Sequence, residues 1–177
     1  MARTQAQVRK TLLVVGEGDS ECAFIKHLRA LYCSGGAGVA VTVRNAHGKG
    51  PEHVVDYAAG QARIYSYDAR VALLDTDIPW TDKLKKEARK AKVVMVGSSP
   101  CLEGLLLAIL GKRRSAQSAD CKKTVQQLLS LDLTDWHGYA EYFSKALLES
   151  ARTTIAELNQ LLVFFEGSER LKKSREA

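Results

Sequence analysis

The chain has no Cys-x-x-Cys pair: its only cysteines, Cys22, Cys33, Cys101 and Cys121, stand far apart. That spacing indicates neither a zinc site nor a disulfide framework, so reduced thiols in a cytoplasm are the expectation. An apolar stretch long enough to span a bilayer is also missing. The longest, Leu102 to Leu110, is interrupted by Glu103 and Gly104. Met1 to Lys10 is polar and lacks the order of a secretory signal. The histidines His27, His47, His53 and His137 show no metal-ligand spacing. His47-Gly-Lys-Gly50 lacks the G-x-x-x-x-G-K-[ST] spacing of a P-loop and reads as a flexible turn. No internal repeat and no linker divide the chain.

What is present is globular. At 177 residues, with 46% hydrophobic and 26% charged side chains, the chain fits one domain with a sizeable core. Its formal net charge is +6. A basic protein whose conspicuous acids are clustered points to a polyanionic partner, with the acids reserved for metal. An ordinary basic protein has the same total charge, so charge alone does not decide.

Strand candidates are Lys10 to Gly16, Val39 to Val43, Ala69 to Leu74 and Val93 to Val96. Helical spacing follows each of them. Ser20 is the expected cap of a helix with Phe24, Ile25, Leu28, Leu31 and Tyr32 on its core face. A turn-rich break covers Cys33 to Gly38. Pro51 opens a second helix to about Ile64, and Thr81 caps a third carrying Leu84, Ala88 and Ala91 inward. Beyond Leu102 only helical patterns remain: Leu102 to Leu110, Ala119 to Leu129, Trp136 to Leu148 and Thr153 to Phe165. Trp136, Tyr139, Tyr142 and Phe143 read as packing residues for these helices. Alternating strands and helices predict an α/β fold with a mainly parallel four-stranded sheet flanked by helices and a helical C-terminal extension. The expected division is a core over 10–111, a helical part over 112–166 and a basic, frayed tail over 167–177.

Acidic residues cluster at the ends of apolar segments. Glu17 follows Leu12-Leu-Val-Val-Gly16, Asp75 and Asp77 follow Val71-Ala-Leu-Leu74, and Glu103 opens the helix after Ser98-Ser-Pro-Cys101. Ligands of open α/β sheets collect at the carboxyl ends of strands. Two unit charges about 6 Å apart cost roughly 3 kcal/mol at an effective dielectric near 20, and a hard divalent cation removes that cost. Glu17 has metal-ligand, acid/base and surface-loop readings. Glu21 suits the positive end of a helix dipole, with a supporting place near the metal as its other reading. Along extended backbone the Asp75-Thr-Asp77 carboxylates share one side; the other reading is a turn. Glu103 either caps its helix or shares a cation with Asp75. The basic runs Lys83 to Lys92 and Lys112 to Arg114 fit a nucleic-acid backbone, though a solvated helix face explains the first and a helix C-terminus the second. Neither run carries interleaved aromatics.

Taken in order, Glu17-Gly-Asp-Ser-Glu21, Asp75-Thr-Asp77 and Ser98-Ser-Pro-Cys-Leu-Glu103 resemble the motifs of the Toprim domain, and more narrowly of the small RloB-like Toprim proteins of bacterial defence loci. The similarity runs from about Lys10 to Phe165. Leu102 stands where the narrower pattern has an aromatic residue. The resemblance implies an OLD-type nuclease site holding Mg²⁺ or Mn²⁺ through Glu17, Asp75, Asp77 and Glu103, with Glu21 close by. It implies cleavage of DNA or RNA in antiviral defence alongside an ATPase partner protein. It also implies a lysine that stabilises phosphate charge, for which Lys112 and Lys122 are the candidates. The alternative is a Toprim scaffold that binds nucleic acid or a partner without turnover. Haloacid-dehalogenase phosphatases and nucleotide-sugar transferases also use D-x-D, but neither accounts for Glu17-Gly-Asp-Ser-Glu21.

Overall fold

The computed structural model describes residues 9–34 and 38–168. The middle of the break expected over Cys33 to Gly38, and the tail from residue 169 onward, lie outside them. Four strands, β1 (Thr11–Gly16), β2 (Ala40–Asn45), β3 (Ala69–Asp75) and β4 (Val94–Ser98), form one sheet in the order β2-β1-β3-β4. All pairings are parallel. Central β1 and β3 are buried on both faces, which is why each is a continuous apolar run rather than an alternating one.

Helices α1 (Asp19–Tyr32), α2 (Gly50–Ile64) and α3 (Asp82–Lys90) are the crossovers between successive strands. Strand residues Leu12, Val14, Val71 and Leu73 pack with α1, while Leu13, Val15, Ala72 and Leu74 pack with α2 and α3. The period-two alternation of β1 and β3 thus divides one apolar segment between two cores. The α1 side is completed by α4 (Leu102–Ile109), α5 (Ser118–Leu128), α6 (Tyr139–Tyr142), α7 (Lys145–Ala151) and α8 (Ala156–Phe165). Tyr139 and Phe143 are fully buried against Phe24, with ring centroids 5.8 and 6.4 Å from it. No described helix is long and apolar enough to cross a membrane.

Local chemistry moved several boundaries. The first helix is capped not by Ser20 but by Gly18, whose N–H donates to Glu21 Oε2 at 2.9 Å. Strand β4 continues to Ser98, two residues past the apolar run. The single helix expected over Trp136 to Leu148 is broken into α6 and α7. Ser144 leaves helical geometry and accepts the Leu147 N–H, while the Phe143 carbonyl goes to His27 Nε2 at 2.7 Å. Helix α8 starts at Ala156 rather than Thr153, because the Thr153 and Thr154 hydroxyls bond back to the Ser150 and Ala151 carbonyls. Thr81 caps α3 as expected, its hydroxyl accepting the Leu84 N–H at 3.1 Å.

Gly104 lets α4 lie against the loop that precedes it. A Cβ there would stand 2.5 Å from the Ser99 carbonyl oxygen and 2.6 Å from Pro100 Cδ. Gly104→Ala should therefore destabilise the protein by about 1–3 kcal/mol despite alanine's better helix propensity. Chemical denaturation is the check; a neutral or stabilising change would show that the contact yields freely.

An acidic crevice at the sheet switch point

From β1 the chain passes outward to β2, then returns to place β3 on the other side of β1. The connections leave in opposite directions at β1 and β3, and a crevice opens beyond the carboxyl ends of that pair. Gly16 ends β1 opposite Leu73, and Asp75 ends β3 opposite Ser98. Glu17 and Asp75 therefore flank the switch point itself. Gly16 also allows α1 to begin directly over the strand end: a Cβ there would lie 2.8 Å from Glu21 Cβ. That approach carries Glu21 into the same region.

Asp75 is the most constrained acid. Its Oδ1 accepts hydrogen bonds from Ser98 Oγ at 2.9 Å and from the Leu102 N–H at 3.1 Å. Burial nonetheless raises its pKa to about 7; the Ser98 bond opposes the rise, and Glu21, Glu17 and Asp77 reinforce it. Glu21 is raised chiefly by burial, which the Gly18 N–H opposes, and Glu103 and Glu17 add to the rise. Five carboxylates thus feel one another at one edge of the sheet. Tyr139 faces the same charge: burial raises its hydroxyl, and Glu21 and Glu103 raise it further. Burial, with Glu103 beside it, pushes the Cys101 thiol up to about 12.

Electrostatic reach is not coordination. Among the described residues no group of three or more His, Cys, Asp or Glu side chains is arranged to hold a metal ion. Strand β3 stops at Asp75, so the same-side alternation of an extended D-x-D does not continue to Asp77. Asp77 is exposed, and its Oδ2 accepts from Ser118 Oγ at 2.7 Å. The Thr76 and Asp77 N–H groups both donate to the Pro100 carbonyl, at 3.0 Å each, which locks the two loops together. Glu103 lies in the first turn of α4, after the N-cap Cys101. A cavity of about 360 Å³, lined by Asp19, Cys22, Lys26, Val43, Asn45 and Thr134, adjoins the β2 side of the crevice.

The two lysines are placed unequally. Lys112 follows the far end of α4, roughly 13 Å along the helix from Glu103. Lys122 is exposed on α5, one turn beyond Ser118, whose hydroxyl donates to Asp77. Sequence reasoning missed the hydroxyls. Ser98 was legible as a polar residue after an apolar strand, whereas nothing in the sequence marks Ser118 as the partner of Asp77. Comparison with protein-family models, curated proteins and solved structures finds no match.

Because folding raises the Asp75 pKa from 3.8 to about 7, the folded state binds its proton more tightly than the unfolded state. The resulting stabilisation is full below the unfolded value and is lost as pH rises through about 7. Asp75→Asn keeps the Oδ1 acceptor and removes the charge. In chelator, its Tm should exceed that of the wild type by several degrees at about pH 8 and approach it near pH 4. A Tm difference that does not vary with pH would contradict the crowding of charge.

Proposed function

We propose that the switch-point crevice recruits Mg²⁺ or Mn²⁺ and that the protein hydrolyses phosphodiester bonds of DNA or RNA. The observation that carries this reading is the excess of carboxylates around a half-buried Asp75 whose pKa stands near 7. The donor set fits a hard divalent cation in kind, since every member is a carboxylate. Asp75 would hold the ion with Glu17 and Asp77, and Glu103 and Glu21 would complete the surroundings. A cation bound there supplies Lewis-acid polarisation and a water of lowered pKa. The chain's own contribution is to aim Asp75 through Ser98 and the Leu102 N–H, and to bring Lys122 rather than Lys112 toward developing phosphate charge. The net charge of +6 supports a nucleic-acid substrate. The Toprim and RloB-like resemblance adds the setting: a cytoplasmic defence system and an ATPase partner. Four free cysteines are in keeping with a reducing compartment.

A second reading has its own support. Glu21 is tied to Gly18, Asp77 to Ser118, and among the described residues no three acids are arranged to hold a metal ion. These ties suit a scaffold that binds nucleic acid or a partner without turnover.

Calorimetric titration with Mn²⁺ separates the two. A metal site should bind the ion with release of a proton from Asp75 near pH 6, a release that fades near pH 8.5. Asp75→Asn or Glu17→Ala should abolish both the binding and any Mn²⁺- or Mg²⁺-dependent cleavage of DNA or RNA. Metal binding without cleavage, alone or with the partner ATPase, would leave the scaffold; no metal binding would end the nuclease reading.

A further inference from the structure

The acids of the crevice are held by donors of two kinds. Those of Asp75 are Ser98, fully buried at the end of β4, and the Leu102 N–H. Both bonds fall on Oδ1, so Oδ2 carries neither of them. Glu21 accepts from the Gly18 N–H, three residues back in its own turn. These donors belong to the strand ends and to the turns that follow them, and they aim each carboxylate where the fold has put it. Asp77 differs. Its Oδ2 accepts at 2.7 Å from Ser118, which reaches it from α5, 41 residues further along the chain.

Neither backbone can follow a moving side chain here. The Thr76 and Asp77 N–H groups both donate to the Pro100 carbonyl, at 3.0 Å each, so the Asp77 carboxylate turns only about its own torsions on a fixed base. Helix α5 is anchored by Cys121 and Val125, buried in the α1-side core. Ser115 closes its start, accepting the Gln117 N–H and donating to Asp120. What remains free to rotate is one carboxylate and one hydroxyl. In the position that meets Ser118, Asp77 belongs to no group of three side chains arranged to hold a metal ion among the described residues. A hard cation the size of Mg²⁺ needs its oxygens at about 2.1 Å. Asp77 therefore joins Asp75 and Glu17 around an ion only by turning away from Ser118. Hydroxyl and ion compete for the same carboxylate.

We propose that Ser118 is a latch on the crevice: its hydroxyl holds Asp77 off the metal position, and Asp77 must release it to reach a divalent cation. The resting protein then takes up Mg²⁺ or Mn²⁺ more weakly than its acids alone would allow, and the first turn of α5 sets the threshold. This rests on the crevice reading and adds the regulation of that site. The alternative role has the opposite sign. A serine that aimed its carboxylate at the ion, as Ser98 aims Asp75, would strengthen metal binding. The bond to Asp77 is charge-assisted but exposed, so giving it up costs about fivefold in affinity.

Thermal unfolding and Mn²⁺ calorimetry of Ser118→Ala test the latch, with no need of cleavage. In EDTA the variant should melt about 2–4 °C below the wild type, because Asp77 has lost its donor. In saturating Mn²⁺ that deficit should vanish, since the wild type has given up the bond as well. Calorimetry should show the same difference from the other side of the cycle, as an Mn²⁺ affinity about fivefold tighter in Ser118→Ala. Ser118→Thr keeps the hydroxyl and should titrate like the wild type. Ser115→Ala loosens the start of α5 without touching Asp77 and should leave the affinity unchanged. A melting deficit that grows in Mn²⁺, or equal or weaker Mn²⁺ binding by Ser118→Ala, would overturn the latch and leave the metal site standing. If neither the wild type nor Ser118→Ala takes up Mn²⁺, the crevice reading itself fails and the latch falls with it.

Discussion

Like charges held close together at the end of a buried parallel pair are the constraint on which the rest of the site depends. Glu17, Glu21, Asp75, Asp77 and Glu103 belong to three different segments, yet backbone geometry brings all of them to one edge of the sheet. The fold does not avoid the resulting repulsion. It holds Asp75 at the end of a strand buried on both faces, where the carboxylate has little water to screen it.

Neutral donors make the arrangement tolerable. Ser98 and the Leu102 N–H serve Asp75, the Gly18 N–H serves Glu21, and Ser118 serves Asp77. Each of these bonds stabilises a carboxylate without cancelling its charge, so the crevice stays electronegative. This also reconciles the strong mutual influence of the acids with the absence of a gathered ligand set among the described residues. Coulomb interactions persist over about 10 Å at moderate salt, whereas a magnesium ligand must come within about 2.1 Å of the ion. Side chains can feel one another and still need to be drawn inward to coordinate.

Much of this was legible in the order of residues. The apolar runs around Leu12-Leu-Val-Val15 and Val71-Ala-Leu-Leu74 read as buried strands, and the acids after them were visible as the ends of those strands. Thr81 and Pro51 marked helix starts through local chemistry that needs no tertiary partner. The errors have identifiable causes. Trp136 to Leu148 has helical spacing throughout, but the Phe143 carbonyl is taken by His27, more than a hundred residues away, and the helix breaks there. Gly18 displaced Ser20 as the cap because α1 had to begin over Gly16. The first is a long-range contact and the second a local one, made by the Glu21 side chain three residues on.

Sequence by itself determined the four strands and the helices as far as α5, that the chain forms an α/β domain, and that carboxylates stand at strand ends. These properties follow from periodicity and burial, which each segment expresses alone. Only the tertiary structure decided that β1 lies beside β3 rather than at an edge, and so that Glu17 and Asp75 share a crevice. It alone brought Ser118 to Asp77. Strand order and crossover placement arise from packing two apolar faces at once, and no local stretch of residues carries that information.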